Sequence, residues 1–409
     1  MTPGRAEAFA EAAVIRDAAA RDEPEWLLAR RTEAARAFNA LPMPTTQLRP
    51  WKYTDVSDLV IEAHVPVEPA LEIAANAPAG AYAGSLRDAV LDTKLSEQLR
   101  ERLGSVVIAT EGRFQAANAG HWADGLYVSL PKGANLDTAV IANIDASAAA
   151  AGSAIYPRVL IDAAANSEVT VVLRFRSADT ALLVSSVIEV IADADARVRV
   201  LIDDRWGAAT KEFTTVRSRL GRGADVQVSS LAIGGQLIKQ TVEALIEGEG
   251  ANSTIRGVAL GDDEQHFDFV TLQDHIGPKS TSDVEIKAAL AGASKSIYYG
   301  VTRVEVSAKG SHAEQVNRNL LLSGNAKADS DPVLEILTSD VIRCGHGATV
   351  GPVDEEALFY LQSRGLPRRA AFQLLVAGFF QSVIQDIPID GLAEELEAVV
   401  VAKLADAEL

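Results

Sequence analysis

Cysteine is nearly missing: Cys344 is the single one among 409 residues, so no disulfide can close within the chain. Positive charge is scarce, with 38 Lys and Arg against 56 Asp and Glu and a formal net charge of -18. Phosphate backbones and anionic lipid surfaces want the opposite sign, which argues against nucleic acid or a membrane surface as the partner. Aromatic residues make up only 5%, too few for a large aromatic ligand pocket. No uncharged apolar run is long enough to form a transmembrane helix. The opening Met1-Thr2-Pro3-Gly4-Arg5 lacks the apolar core of a secretion signal, so the expected location is the cytoplasm. Several catalytic patterns are also missing. Gly277-Pro278-Lys279-Ser280 keeps only the Lys-Ser end of a P-loop, and Gly345, Gly347 and Gly351 are misspaced for a dinucleotide fingerprint. There is no Gly-x-Ser-x-Gly elbow and no His-Glu-x-x-His pair.

What is present divides the chain into three parts. Residues 1–104 read as an N-terminal helical region: Leu27, Arg31, Ala34, Phe38 and Leu41 recur at helical spacing, and Leu41-Pro42-Met43-Pro44 stops that helix. The aromatic segment Arg49-Pro50-Trp51-Lys52-Tyr53-Thr54 follows, and Trp51 with Tyr53 reads as an anchor onto the next domain. Residues 105–345 show alternating strands, each after a turn rich in Gly, Ala, Asp or Asn. Ser167, Ala196, Ala224 and Ala251 stand 29, 28 and 27 residues apart at the same point of that unit. Neighbouring units are 33 residues before (Ala134) and 42 after (Ala293). A strand signal at this period marks a solenoid, with a two-sheet sandwich as the competing fold. The fold class is therefore mainly β: a β-helix core flanked by helical regions. Residues 346–409 turn helical again. Asp354 opens one helix, Phe372, Leu375 and Phe379 share a face of the next, and Asp390 precedes a last one carrying Leu392, Leu396, Val399 and Leu404.

The strongest chemical constellation is Cys344 and His346. Two residues apart on a strand, they share one face, and outward positions at the far end of the solenoid are expected for both. A thiolate and an imidazole suit iron, but a cluster needs about four ligands, so a second chain would have to supply the rest. A buried cysteine beside a hydrogen-bonded histidine remains the competing reading. His266, Asp268, Thr271 and His275 form a second polar group, read as structural rather than as a metal or acid–base site. Asp262, Asp263, Asp268 and Asp274 leave open a polysaccharide-cleaving β-helix enzyme, without a paired-carboxylate geometry to support it.

Four stretches carry a family resemblance. They are Arg49–Thr54, Gln265–Asp268 with the segment His275–Ser282, Asn317–Ser323, and above all Ala328–Ile336 with Cys344-Gly345-His346-Gly347-Ala348-Thr349 and Asp354–Gly365. Together they resemble the SufB/SufD family of iron–sulfur cluster assembly scaffolds, and the Cys-x-His-Gly-Ala-Thr form looks like the SufD type. The resemblance implies a right-handed parallel β-helix and a non-catalytic scaffold subunit. It implies pairing with SufB, and docking of the SufC ATPase on the C-terminal helices. There Phe359, Tyr360, Arg364, Phe372, Leu375 and Phe379 are the candidate contacts. It places Cys344 and His346 at the SufB-facing end, touching iron or a transient iron–sulfur cluster shared with SufB. Some family complexes carry reduced flavin, for which no residues here mark a site. Homodimerisation when SufB is absent stays open, as does a purely structural partner that stabilises SufB and recruits SufC without supplying a ligand.

Overall fold

Valine and isoleucine at every second position of a strand fill a pleated surface, and a repeat stacks them. In the computed structural model, which describes residues 9–385 and 391–406, these strands build two facing sheets. From Arg158–Ala163 onward consecutive strands go to opposite sheets, and each pairs in parallel with the next but one. Arg197–Arg205 thus lies between Glu168–Arg176 and Asp225–Ala232, while Thr210–Leu220 lies between Leu182–Ala192 and Leu237–Ile246. A sandwich of hairpins would instead pair neighbours antiparallel. The chain is a β-solenoid of about eight turns with helices at both ends.

The register shows why the repeat folds this way. Val171, Val200, Val228, Ile255 and Val284 stand side by side on successive turns, and all are buried. Each contributes about 1.5–3 kcal/mol by leaving water. At the corners before the strands of this sheet from Val140–Asp145 to Ser311–Leu321 one residue takes a left-handed conformation: Gly133, Asn166, Asp195, Gly223, Gly250, Lys279 and Gly310. Glycine, asparagine and aspartate enter that region at low cost. Lys279 explains an apparent gap in the repeat. The next corner after Ala251 is Ser280, 29 residues on, and Ser311 follows after 31. Ala293, which stood 42 residues away, belongs to the opposite corner and leads into Lys295–Val304 of the other sheet.

The solenoid strands run from Gly125–Leu130 to Val341–Pro352. The last therefore passes 345, and the helix Arg113–His121 lies beyond 104. The helix Glu25–Ala40 buries Leu27, Arg31, Ala34 and Phe38, as its spacing predicts, and ends just before Leu41. The N-terminal helices cover one sheet through Phe9, Phe38, Leu86 and Leu99, packed with Tyr127, Leu160 and Phe213. The C-terminal helices cover the other. Phe372, Val376, Phe380 and Val383 of the helix Arg368–Ile384 meet Leu201, Leu231, Val258 and Leu260. Lys287 ties that helix down by donating to the Phe379 carbonyl at 2.7 Å and Ser382 Oγ at 2.6 Å. Val399 and Leu404 of the helix Leu392–Asp406 join the same core. Asp390, the opening residues Met1–Arg5, and the side chains of Leu392 and Leu396 lie outside the described residues. Among the described residues, no helix is long and apolar enough to cross a membrane.

Candidate functional site

The inward columns of the solenoid lead directly to the two residues singled out for chemistry. The column Val171–Val200–Val228–Ile255–Val284 continues into Gln315 and ends at His346. Its neighbour Val169–Val198–Val226 passes through Ser253, Ser282 and Ala313 and ends at Cys344. The two side chains share a face, as their spacing predicts, but it is the inner face and not the outer one. Their in-register neighbours Ala313 and Gln315 are sealed, at 0% and 1% exposure, whereas Cys344 is half-buried and His346 exposed. The difference is that Val341–Pro352 is the last strand of its sheet, so no further strand among the described residues stacks above it. Lys327–Ile336 ends the other sheet in the same way. The lumen thus opens at this end, with a thiol and an imidazole on its rim.

Half-burial raises the Cys344 thiol above its usual range, and the Glu314 carboxylate adds to the effect. The group is therefore held as a thiol until a cation displaces its proton. Glu314 lies on the outer face, where Arg343 Nε donates to it at 2.5 Å. The strand edge beside the pair offers unmatched backbone groups, and Ile342, Val350, Ile336 and Leu337 around it are 75%, 46%, 41% and 50% exposed. An open edge lined with apolar side chains is a template for another polypeptide. Two donors cannot complete an iron–sulfur site, and no group of three or more His, Cys, Asp or Glu suited to a metal exists among the described residues.

The second polar group proves to be divided. His266 and Asp268 lie on the outer face of the strand His266–His275, where Thr54 Oγ1 sits 3.2 Å from His266 Nε2 and also donates to Asp268. Lys239 Nζ donates to Asp268 Oδ2 at 2.6 Å and to the Pro50 carbonyl at 2.5 Å, and lies 4.6 Å above the Trp51 ring. Trp51 stacks on Phe114, centroids 5.6 Å apart. This buried pair locks the Arg49–Thr54 segment onto the solenoid through Trp51, whereas Tyr53, expected to anchor with it, is exposed. Sequence periodicity missed Lys239, which sits at an outward position of Leu237–Ile246 and looks like any surface lysine. His275 faces the interior instead, 2.8 Å from both Ser280 Oγ and Ser282 Oγ, a buried corner contact.

On the C-terminal helices the expected contact residues split as well. Phe359 and Tyr360, on the helix Glu355–Ser363, are 72% and 56% exposed. The exposed Arg364 guanidinium lies 5.2 Å from the Tyr360 ring. Phe372 is only 4% exposed, while Leu375 and Phe379 are partly covered against the same core. Phe372 belongs to the contact with the solenoid because its helix face turns inward.

Comparison with known proteins agrees with this architecture. Residues 145–379 match the family described as "SUF system FeS cluster assembly, SufBD core domain". An iron–sulfur cluster assembly SufBD family protein of Mycobacterium leprae is 30% identical over 68% of this chain and 71% of its own length. The iron–sulfur cluster assembly protein SufD of Bacillus subtilis is 29% identical over 72% of this chain and 67% of its own. A SufBD family protein of Mycobacterium tuberculosis is 32% identical over 52% of this chain, a match that spans 55% of the relative's length. The family match covers more than half of the chain and includes the solenoid from its second turn onward, and on that ground the chain belongs to the SufBD family of iron–sulfur cluster assembly proteins.

Proposed function

We propose that this chain is a non-catalytic scaffold subunit that pairs with a SufB-type partner at the open end of the solenoid and presents His346, with Cys344 beside it, to iron or to a nascent cluster. The observation that carries this reading is the ending of two inward columns in a histidine and a cysteine where the stack has no lid. A partner closing that end would bury the unmatched edge and add the missing ligands at once. The cluster is then shared cargo held between two chains rather than a resident group of one. Two of the four aspartates considered for a polysaccharide-cleaving enzyme have structural duties, Asp268 with Lys239 and Asp262 with Lys403, which favours the scaffold. A second copy of this chain could occupy the same edge when no SufB is present, and reduced flavin, if it enters, would do so in the assembled complex.

His346→Ala tests the assignment. The side chain is exposed, so the melting temperature should stay within about 1 °C of the parent's, in keeping with surface substitutions within about ±0.5 kcal/mol. Cluster yield in the reconstituted complex, read from the visible absorption after anaerobic reconstitution, should fall at least tenfold. Normal yield would remove His346 from the role and favour a partner that supplies no ligand.

The ATPase-docking surface is proposed on the outward part of the helix Glu355–Ser363. Phe359→Ala with Tyr360→Ala should weaken binding of a SufC-type ATPase at least tenfold by calorimetry, since exposed aromatics commonly anchor such contacts. Thermal stability should be unchanged. Phe372→Ala should instead lower stability, because it removes a ring from the core.

A further inference from the structure

Inside the solenoid, two carboxylic acids on facing sheets interact electrostatically, and among the described residues no cation pairs with either. Asp204 occupies the inward column between Phe175 and Ala232 of one sheet, and Glu212 lies between Val184 and Ile238 of the other. Both are 0% exposed. Three donors serve their four oxygens. Gln240 Nε2 donates to Asp204 Oδ2, Thr214 Oγ1 to Glu212 Oε1, and Trp206 Nε1 to Glu212 Oε2 at 2.9 Å. Gln240 cannot turn round to change this count, because its Oε1 accepts from Ser230 Oγ at 2.6 Å. Asp204 Oδ1 is left buried with no partner.

Among the described residues no cation forms an ion pair with either acid. The inward neighbours Phe175, Ala232, Val184 and Ile238 do not ionise. Asp203, adjacent in the chain, points outward, where Arg176 and Arg205 hold its carboxylate at 2.8 and 2.9 Å. Arg176, the cation that acts on Asp204, is engaged by Asp203. Two interacting anions in a dry core are costly, and an oxygen without a donor adds to the cost. One proton removes a charge, and a neutral carboxyl oxygen loses far less than an anionic one by lacking a donor. We propose that the Asp204–Glu212 pair binds one proton at neutral pH, with Asp204 as a neutral acid, making the solenoid core a titrating element.

Burial raises both groups, Asp204 well above the carboxylate range with Glu212 and Asp203 adding to it, and Glu212 to about 7. The folded state therefore holds more protons than the unfolded chain between the ordinary carboxyl range near about 4 and neutrality. In that window stability falls as pH rises.

The test compares the full-length protein with Asp204→Asn, which keeps the shape and brings its own N–H. The parent should show an infrared band of a neutral buried carboxyl at neutral pH, weaker in the variant, where only Glu212 can contribute. The parent's melting temperature should fall between about pH 5 and about pH 8 by roughly 3 °C more than the variant's. If Asp204→Asn fails to fold, Glu212→Gln, which leaves a single acid, should flatten the slope in part. No neutral-carboxyl band in the parent, an unchanged slope in the folded variant, or a stoichiometric cation found by elemental analysis after dialysis would each overturn the proposal.

Discussion

Replacing Asp268 by alanine should destabilise the protein by about 3–5 kcal/mol, because it strands Lys239 in the interior. The two side chains are each 2% exposed and 2.6 Å apart. Burial already depresses the Lys239 ammonium below its usual range, and Asp268 is what opposes that. With the carboxylate gone, Lys239 must either carry an unpaired charge or give up its proton, and Thr54 loses its acceptor. The segment 49–54 should loosen with it, read as faster amide exchange there and as protease cleavage near Trp51. Chemical denaturation gives the free energy. The double substitution Lys239→Met with Asp268→Leu should recover most of the loss, since an apolar pair of similar volume has no charge to desolvate. A single substitution as mild as the double one would show that the pair contributes little.

Glu189→Ala should have an effect of similar size. This carboxylate is 0% exposed. It accepts the backbone N–H groups of Gly104, Val106 and Val107 at 2.9, 3.0 and 3.0 Å, together with the Arg158 guanidinium. Alanine leaves three donors and a buried cation without their acceptor. At about 1–3 kcal/mol for each unsatisfied buried group, a loss of roughly 4 kcal/mol or more is expected. The local reading is hydrogen exchange at residues 104, 106 and 107, which should rise well before global unfolding. Glu189→Gln keeps one acceptor oxygen and should cost less. Equal losses for the two variants would mean that packing, not hydrogen bonding, holds the loop.

Asp268 stood out in the sequence, but its partner Lys239 and the carboxylate of Glu189 did not, and the reason is common to these two. Glu189 stands on an outward strand position, where alternation alone reads an acid as solvent-facing. It becomes buried only because the chain near Gly104 folds over it. Lys239 is hidden in the same way by a motif 189 residues upstream. Asp204 and Glu212 carried a local signal, an acid on the inward beat of a strand, that the repeat period obscured.

By contrast, the solenoid and its flanking helices were legible in the sequence. A period of 27 to 29 residues with valine at matching points specifies a stack, because each turn can bury its apolar beat only on the next. The Cys344–His346 spacing likewise determined that both side chains share a face. Which face, and whether water reaches it, was decided by the tertiary structure: the register with Ala313 and Gln315 turns the pair inward, and the absence of a further turn leaves it open. Local patterns encode alternation, but exposure depends on what comes to rest on top, and that is set by contacts far apart in the chain.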